Sequence, residues 1–334
     1  MNSNPELNVY KTTRINNLRN IYNVNYKRIV QYYNQLISNV SRSRIANKPA
    51  QIKKLTNECN QAILSLKQKL DADILAIQNI APVVIPPFQN KKALLIGINY
   101  IGTPYELNGC INDVESIKTR LITTSGFTND NITKLTDNTP VKPTRNNIIN
   151  ELTKLLANSV SGDLLFFLYS GHGSYTMDRN GDETDKRDEM IIASDMNGVL
   201  DDDLKRIIQT NLKKDVTLFA LFDSCFSGSV LDLRYQYLDS LNYDSFTENN
   251  KQLDTQGNVL MISGCSDKQT SADASINNKY SGAMTWSFLE CVTPDICWRD
   301  LLKNMRTKLL SSSFTQLPQL SSGSIFNIDS KVFL

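Results

Sequence analysis

The chain has one histidine and six cysteines, and two of these seven residues stand at matching places. His172 closes the run Asp163-Leu-Leu-Phe-Phe-Leu-Tyr-Ser-Gly-His-Gly173, and Cys225 lies in Val216-Thr-Leu-Phe-Ala-Leu-Phe-Asp-Ser-Cys-Phe-Ser-Gly228. A cysteine attacks as thiolate, and a neighbouring imidazole both lowers its pKa and later protonates the leaving group. Gly173 and Gly228 follow closely, and glycine lets backbone N–H groups face a substrate carbonyl oxygen. The chemistry on offer is thiol–imidazole nucleophilic catalysis. Cys59, Cys265, Cys291 and Cys297 have no such setting. Cys225 alone would read as a small buried apolar residue; the joint placement argues otherwise.

That placement requires two strands. Seven apolar or β-branched residues, Val216 to Phe222, run without a charge and stop at turn residues. Such a run reads as a strand buried on both faces. It delivers Asp223 and Cys225 to its carboxyl end, where open α/β sheets bind ligands. The run before His172 has the same design. Around these two, Ala93–Ile98 reads as a buried strand, Asn112–Ile122 as a helix and Ile132–Leu135 as a short strand. A helix capped by Thr144 runs through Leu156. A polar loop is expected from Gly173 to Val199, then a helix from Asp201 to Ile208. Beyond Cys225, Asn258–Ser263 reads as a strand, Tyr280–Cys291 and Trp298–Leu310 as helices, and Gln319–Phe326 as a last strand. The alternation predicts an α/β fold with a mostly parallel sheet flanked by helices.

The first part of the chain differs in kind. Ile15, Leu18, Tyr22, Tyr26, Ile29, Tyr33, Leu36 and Val40 recur at gaps of three and four, as do Ile52 to Ile77. Each set lines one helix face, with a turn at Ser41–Pro49 between them. Residues 1–80 are read as a basic N-terminal helical hairpin, 81–90 as a Pro-rich extended linker and 91–334 as the catalytic domain. Residues 1–90 carry 12 Lys/Arg against 4 Asp/Glu, whereas the remainder carries 24 against 30. The basic face is read as solvated, because no nucleic-acid motif accompanies it. No apolar run approaches the roughly 20 residues of a membrane span. The opening residues lack a signal-peptide layout, and no C-x-x-C pair is present. A cytoplasmic protein with reduced thiols is expected, acting as a monomer.

Further stretches extend the pattern: Asn108-Gly-Cys-Ile-Asn-Asp-Val114, Ser263-Gly-Cys-Ser-Asp-Lys-Gln-Thr-Ser-Ala-Asp273 and Ser281-Gly-Ala-Met284. With Tyr169–Gly173 and Asp223–Gly228, these resemble, in order, the motifs of metacaspases, calcium-dependent cysteine peptidases related to caspases. The resemblance covers about residues 91–325, and the short connection from the Cys225 motif to Ser263 is similar to type I members. It implies a caspase-like fold, with His172 as general base and acid and Cys225 as nucleophile. The amides of Gly173 and Cys225 would form the oxyanion hole. The S1-pocket positions fall on Cys110, Asp113, Ser170 and Asp223. Two carboxylates there suit protein or peptide substrates with Lys or Arg at P1, since a desolvated cation needs a partner charge. Caspases proper take Asp and use arginines.

The resemblance also implies calcium, with ligands at Asp188, Asp201, Asp202 and Asp232; oxygen-rich clusters suit this hard cation. The acidic stretch Asp178–Asp185 does not have the glycine spacing of an EF-hand. Two features depart from the family. Phe226 stands where His usually follows the nucleophile, and the N-terminal segment is neither Pro/Gln-rich nor a zinc finger. The competing reading is a catalytically silent scaffold that binds partners through the fold and the basic hairpin.

Overall fold

The computed structural model describes residues 5–79, 88–177, 187–225, 230–231, 233–237, 247–248, 255–264, 273–276, 279–324 and 326–334. The chain separates into two units, Met1–Pro82 and Val83–Leu334. In the first, α1 (Pro5–Arg42) and α2 (Lys48–Gln78) form an antiparallel hairpin. Lys11 Nζ, near the start of α1, donates to the Gln78 carbonyl at the end of α2 (2.7 Å). Pro49 lies in the first turn of α2, where a missing N–H has no helical partner to lose. Asn47 makes the reversal with a left-handed backbone (φ 61°).

The second unit runs β1 (Lys91–Gly97), α3 (Cys110–Thr123), β2 (Ile132–Thr136), α4 (Arg145–Ala157), β3 (Leu164–Ser170), β4 (Gly173–Met177), β5 (Arg187–Ile192), β6 (Gly198–Leu200) and α5 (Asp201–Asn211). It continues with β7 (Thr217–Asp223), β8 (Tyr235–Tyr237), β9 (Thr247–Glu248), β10 (Asn258–Ser263), β11 (Asp273–Ile276), β12 (Lys279–Gly282), α6 (Ala283–Cys291), α7 (Trp298–Ser311) and β13 (Gln319–Ser322). The main sheet has the order β2-β1-β3-β7-β10-β13-β8-β9. Its first five strands are parallel, and β13, β8 and β9 join antiparallel. This is the mostly parallel, helix-flanked sheet expected.

The central strands β3 and β7 are buried at every position, as their unbroken apolar runs require. Alternate side chains serve opposite layers. Leu165, Phe167, Leu218 and Ala220 join a core with Ile148 and Leu152 of α4 and Leu204 of α5. On the other face Phe166 meets Phe219 edge-on (5.4 Å between ring centroids), and Phe219 meets Phe288 of α6 and Trp298 of α7. Truncating such a buried ring to Ala typically costs about 3–5 kcal/mol.

Three expectations need correction. The stretch 173–199 is not a simple loop: β4, β5 and β6 form a separate three-stranded antiparallel sheet. The strand β5 (Arg-Asp-Glu-Met-Ile-Ile) escaped notice because Asp188 and Glu189, which read as solvent-facing, are buried. The helix expected from Tyr280 begins at Ala283, because Lys279–Gly282 pairs with β11. The last strand stops at Ser322. The short strands β8 and β9 were not anticipated.

Candidate active site

The register of β3 on β7 brings the two motifs together. Leu164 pairs with Thr217 and the ladder ends at Ser170 opposite Asp223. His172 and Cys225 each come two residues later. The strands stay in touch past the ladder, with Gly171 N–H donating to the Asp223 carbonyl (3.3 Å). A Cβ on Gly173 would collide with the Cys225 carbonyl oxygen. Only glycine lets these backbones approach so closely. His172, Gly173 and Cys225 are all half-buried, open to a substrate yet held by the sheet.

The orientation of His172 comes from a residue the sequence did not single out. Its Nε2 lies 2.7 Å from the Tyr105 backbone carbonyl. A carbonyl only accepts, so Nε2 carries the proton and Nδ1 is the basic nitrogen. The Tyr100 ring lies against the imidazole (4.7 Å between centroids, 37°) and the Tyr105 ring meets it edge-on. The loop carrying both tyrosines is tied down. Leu107 N–H donates to the Asn99 carbonyl, Thr103 N–H to the Tyr100 carbonyl, and the Asp137 carboxylate accepts from Asn99 and Ile101 N–H.

Beside this corner lies a buried carboxylate pair. Asp113, in the first turn of α3, is 0% exposed, and Asp223, the last residue of β7, is 4% exposed. Asp113 accepts from Ser170 Oγ (2.7 Å), Ser281 Oγ (2.5 Å) and, through both oxygens, Gly282 N–H (3.1 Å each). Asp223 accepts from Thr285 N–H in the first turn of α6 (2.8 Å). A helix N-terminus stabilises negative charge. Even so, burial first and the Asp223 charge second push the Asp113 carboxyl well above the usual carboxylate range. Of the residues expected at S1, Asp113, Ser170 and Asp223 converge. Cys110 opens α3 and is buried. Ser281, Gly282 and Thr285 complete the cradle; the first two belong to a motif noted in the sequence, although no role was drawn from it.

A second acidic group forms where β5 and α5 meet. Asp188, Asp201 and Asp202 offer oxygens within 4.8 Å of one another. Asp201 also caps the junction, accepting from Glu189 N–H (2.7 Å) and Asp202 N–H (2.6 Å). The next residue, Asp203, is drawn away by Arg145 (2.5 Å) and Arg206 (2.6 Å). Three clustered carboxylates, two of them buried, form an oxygen-only donor set of the kind a hard divalent cation takes, so the residues present fit calcium. Asp232 lies outside the described residues, as do Phe226, Gly228, Cys265 and the acidic stretch 178–185.

Residues 91–234 match the metacaspase, peptidase C14 domain family. The chain is 37% identical to Metacaspase-1 of Meyerozyma guilliermondii, over 70% of this chain and 69% of that one. It is 36% identical to Metacaspase-1 of Schizosaccharomyces pombe, over 69% of this chain and 67% of that one. A crystal structure of a Geobacter sulfurreducens protein superposes with a TM-score of 0.55 at 24% identity, covering 73% of this chain and 98% of that one. At that identity the likeness concerns the fold alone.

Proposed function

The chain belongs to the metacaspase family of cysteine peptidases, and from that premise we propose that it is a calcium-activated endopeptidase cutting after Lys or Arg, with Cys225 as nucleophile and His172 as general base and acid. The observation that carries the specificity is the enclosed pair Asp113 and Asp223 beside Cys225. Two carboxylates in a desolvated pocket repel one another, and the side chain that relieves this is a cation. An Asp side chain at P1 would add negative charge to a pocket that already encloses an acidic pair.

His172 Nδ1 takes the thiol proton, and the thiolate adds to the scissile carbonyl carbon. The oxyanion is received by the N–H groups of Gly173 and Cys225, two residues whose backbones approach closely. Preorganised donors of this kind contribute about 10²–10³ in rate. The imidazolium then protonates the leaving amine, and the same nitrogen activates the water that hydrolyses the thioester. Tyr105 holds Nε2 throughout, so the ring keeps one tautomer. Asp188, Asp201 and Asp202, joined by Asp232 on the family resemblance, would hold calcium. Its charge would offset their mutual repulsion and so fix the junction of β5 with α5, without taking part in the chemical step. Magnesium should substitute poorly, because it demands a tighter octahedral shell.

The test is hydrolysis of fluorogenic peptides ending in Arg, Lys or Asp, in calcium and in excess chelator. Turnover is expected with Arg and Lys in calcium, and none in chelator. Cys225→Ala and His172→Ala should each be inactive, and Asp202→Ala should need more calcium for half-maximal rate. A preference for Asp would refute the pocket reading, and full turnover in chelator would refute the cation reading.

A further inference from the structure

We propose that Tyr100 and Tyr169 are positioning residues for catalysis: their paired hydroxyls clamp the His172 backbone to Ile192 and thereby hold the imidazole at the nucleophile. The proposal rests on the reading of His172 as the base.

The two phenols are 2% and 0% exposed, and their oxygens lie 3.1 Å apart. His172 N–H donates to Tyr100 Oη (2.9 Å), and Tyr169 Oη donates to the His172 carbonyl (2.7 Å). Tyr100 Oη in turn donates to the Ile192 carbonyl (2.7 Å). Ile192 N–H reaches both the His172 carbonyl (3.0 Å) and Tyr169 Oη (3.1 Å). Each phenol has a single proton to give, and this arrangement uses both. It satisfies the N–H and C=O of His172 and of Ile192 with no group left over. The amino acid on which the chemistry turns is therefore gripped on both sides of its Cα by side-chain hydroxyls, just past the end of β3.

Three further observations show that the fold is arranged around this clamp. Tyr100 adopts a left-handed backbone (φ 51°), which is unfavourable for a non-glycine residue and, where it persists, marks a position the surroundings over-determine. That conformation accompanies a ring lying against the imidazole, so one residue supports both the backbone and the ring of His172. A Cβ on Gly171 would sit 2.7 Å from Tyr169 Oη and 2.9 Å from Tyr100 Oη. The glycine before His172 thus makes room for the hydroxyls, as Gly173 after it makes room for Cys225. Finally, burial raises both phenol pKa values, so both stay protonated and able to donate. Phenylalanine would fill the same space without any of these bonds, which separates clamping from packing.

The experiment uses the full chain, with Tyr100→Phe, Tyr169→Phe and the double variant. Hydrolysis of an Arg-ended peptide is measured at saturating calcium, along with the rate of iodoacetamide alkylation at Cys225, read by mass spectrometry. Each single change is expected to lower kcat about 10–100-fold, the scale of a small misplacement of a catalytic group, with KM within twofold. Cys225 alkylation should slow in parallel, because the imidazole no longer meets the thiol. The double variant should be little worse than the poorer single one, since the hydroxyls act as a unit. Wild-type kcat and alkylation in the Phe variants would overturn the clamp. So would a fall in kcat that merely tracks lost thermal stability while alkylation is unchanged. His172→Ala separates the two levels: turnover in that variant removes the base itself, whereas an inactive His172→Ala beside fully active tyrosine variants removes only the clamp.

Discussion

Asp113 is a residue whose proposed place in the S1 pocket works against the stability of its fold. In the unfolded chain it ionises near the usual value of 3.8, whereas enclosure and the adjacent Asp223 raise that value in the folded protein. As pH rises above the unfolded value, the unfolded chain releases the proton while the folded chain keeps it. Stability therefore falls with pH across the interval up to the raised folded value. Asp113→Asn removes this loss. Its melting temperature should exceed that of the wild type by more at pH 7 than at pH 4, as read by thermal denaturation at the two values. The same variant leaves a P1 cation with one carboxylate. Losing a buried partner costs about 3–5 kcal/mol, so kcat/KM for Arg peptides should fall by about 100-fold or more. A variant neither stabilised nor impaired would mean that Asp113 does not act as an enclosed charge.

Among the elements, β3 and β7 do most to build the site, because one register sets both motifs side by side. Gly173→Ala tests this: the added methyl must push the Cys225 backbone away. Peptide hydrolysis should drop at least about 100-fold, since a displacement of about 1 Å suffices for that, and the melting temperature should fall with it. Near-normal turnover would mean that the two backbones are not in contact. These strands were legible in the sequence because burial on both faces demands an uninterrupted apolar run, and Leu164–Leu168 and Val216–Phe222 supply one. The converse explains β5. Its two acidic residues are enclosed for reasons that arise only in three dimensions, so its composition reads as a loop. The support of His172 was hidden for another reason: Tyr105 acts through a carbonyl that every residue possesses. Asp113 and Ser170, 57 positions apart, were linked in the sequence only by family resemblance, and their hydrogen bond gives that link a physical form.

At the scale of the whole molecule, every candidate site residue falls within Val83–Leu334, and none in Met1–Pro82. Deleting residues 1–82 should accordingly leave kcat/KM for an Arg peptide within about twofold, because no candidate site residue is lost. A large fall would show that the hairpin contributes to catalysis. No helix among the described residues is long and apolar enough to cross a membrane. The strand order has a consequence for the nascent chain. From β1 the sheet grows through β3, β7, β10 and β13 in the order in which they leave the ribosome. His172 emerges roughly 50 residues ahead of Cys225, about 3–10 s earlier at a synthesis rate of about 5–20 residues per second. During that interval an imidazole exists without its thiol, and the pair first meets when β7 zips onto a waiting β3. Parallel pairing of this kind is slow, since a long loop must close before any ladder bond rewards it. On the proposed pairing of His172 with Cys225, no active site exists until β7 has emerged and docked beside β3.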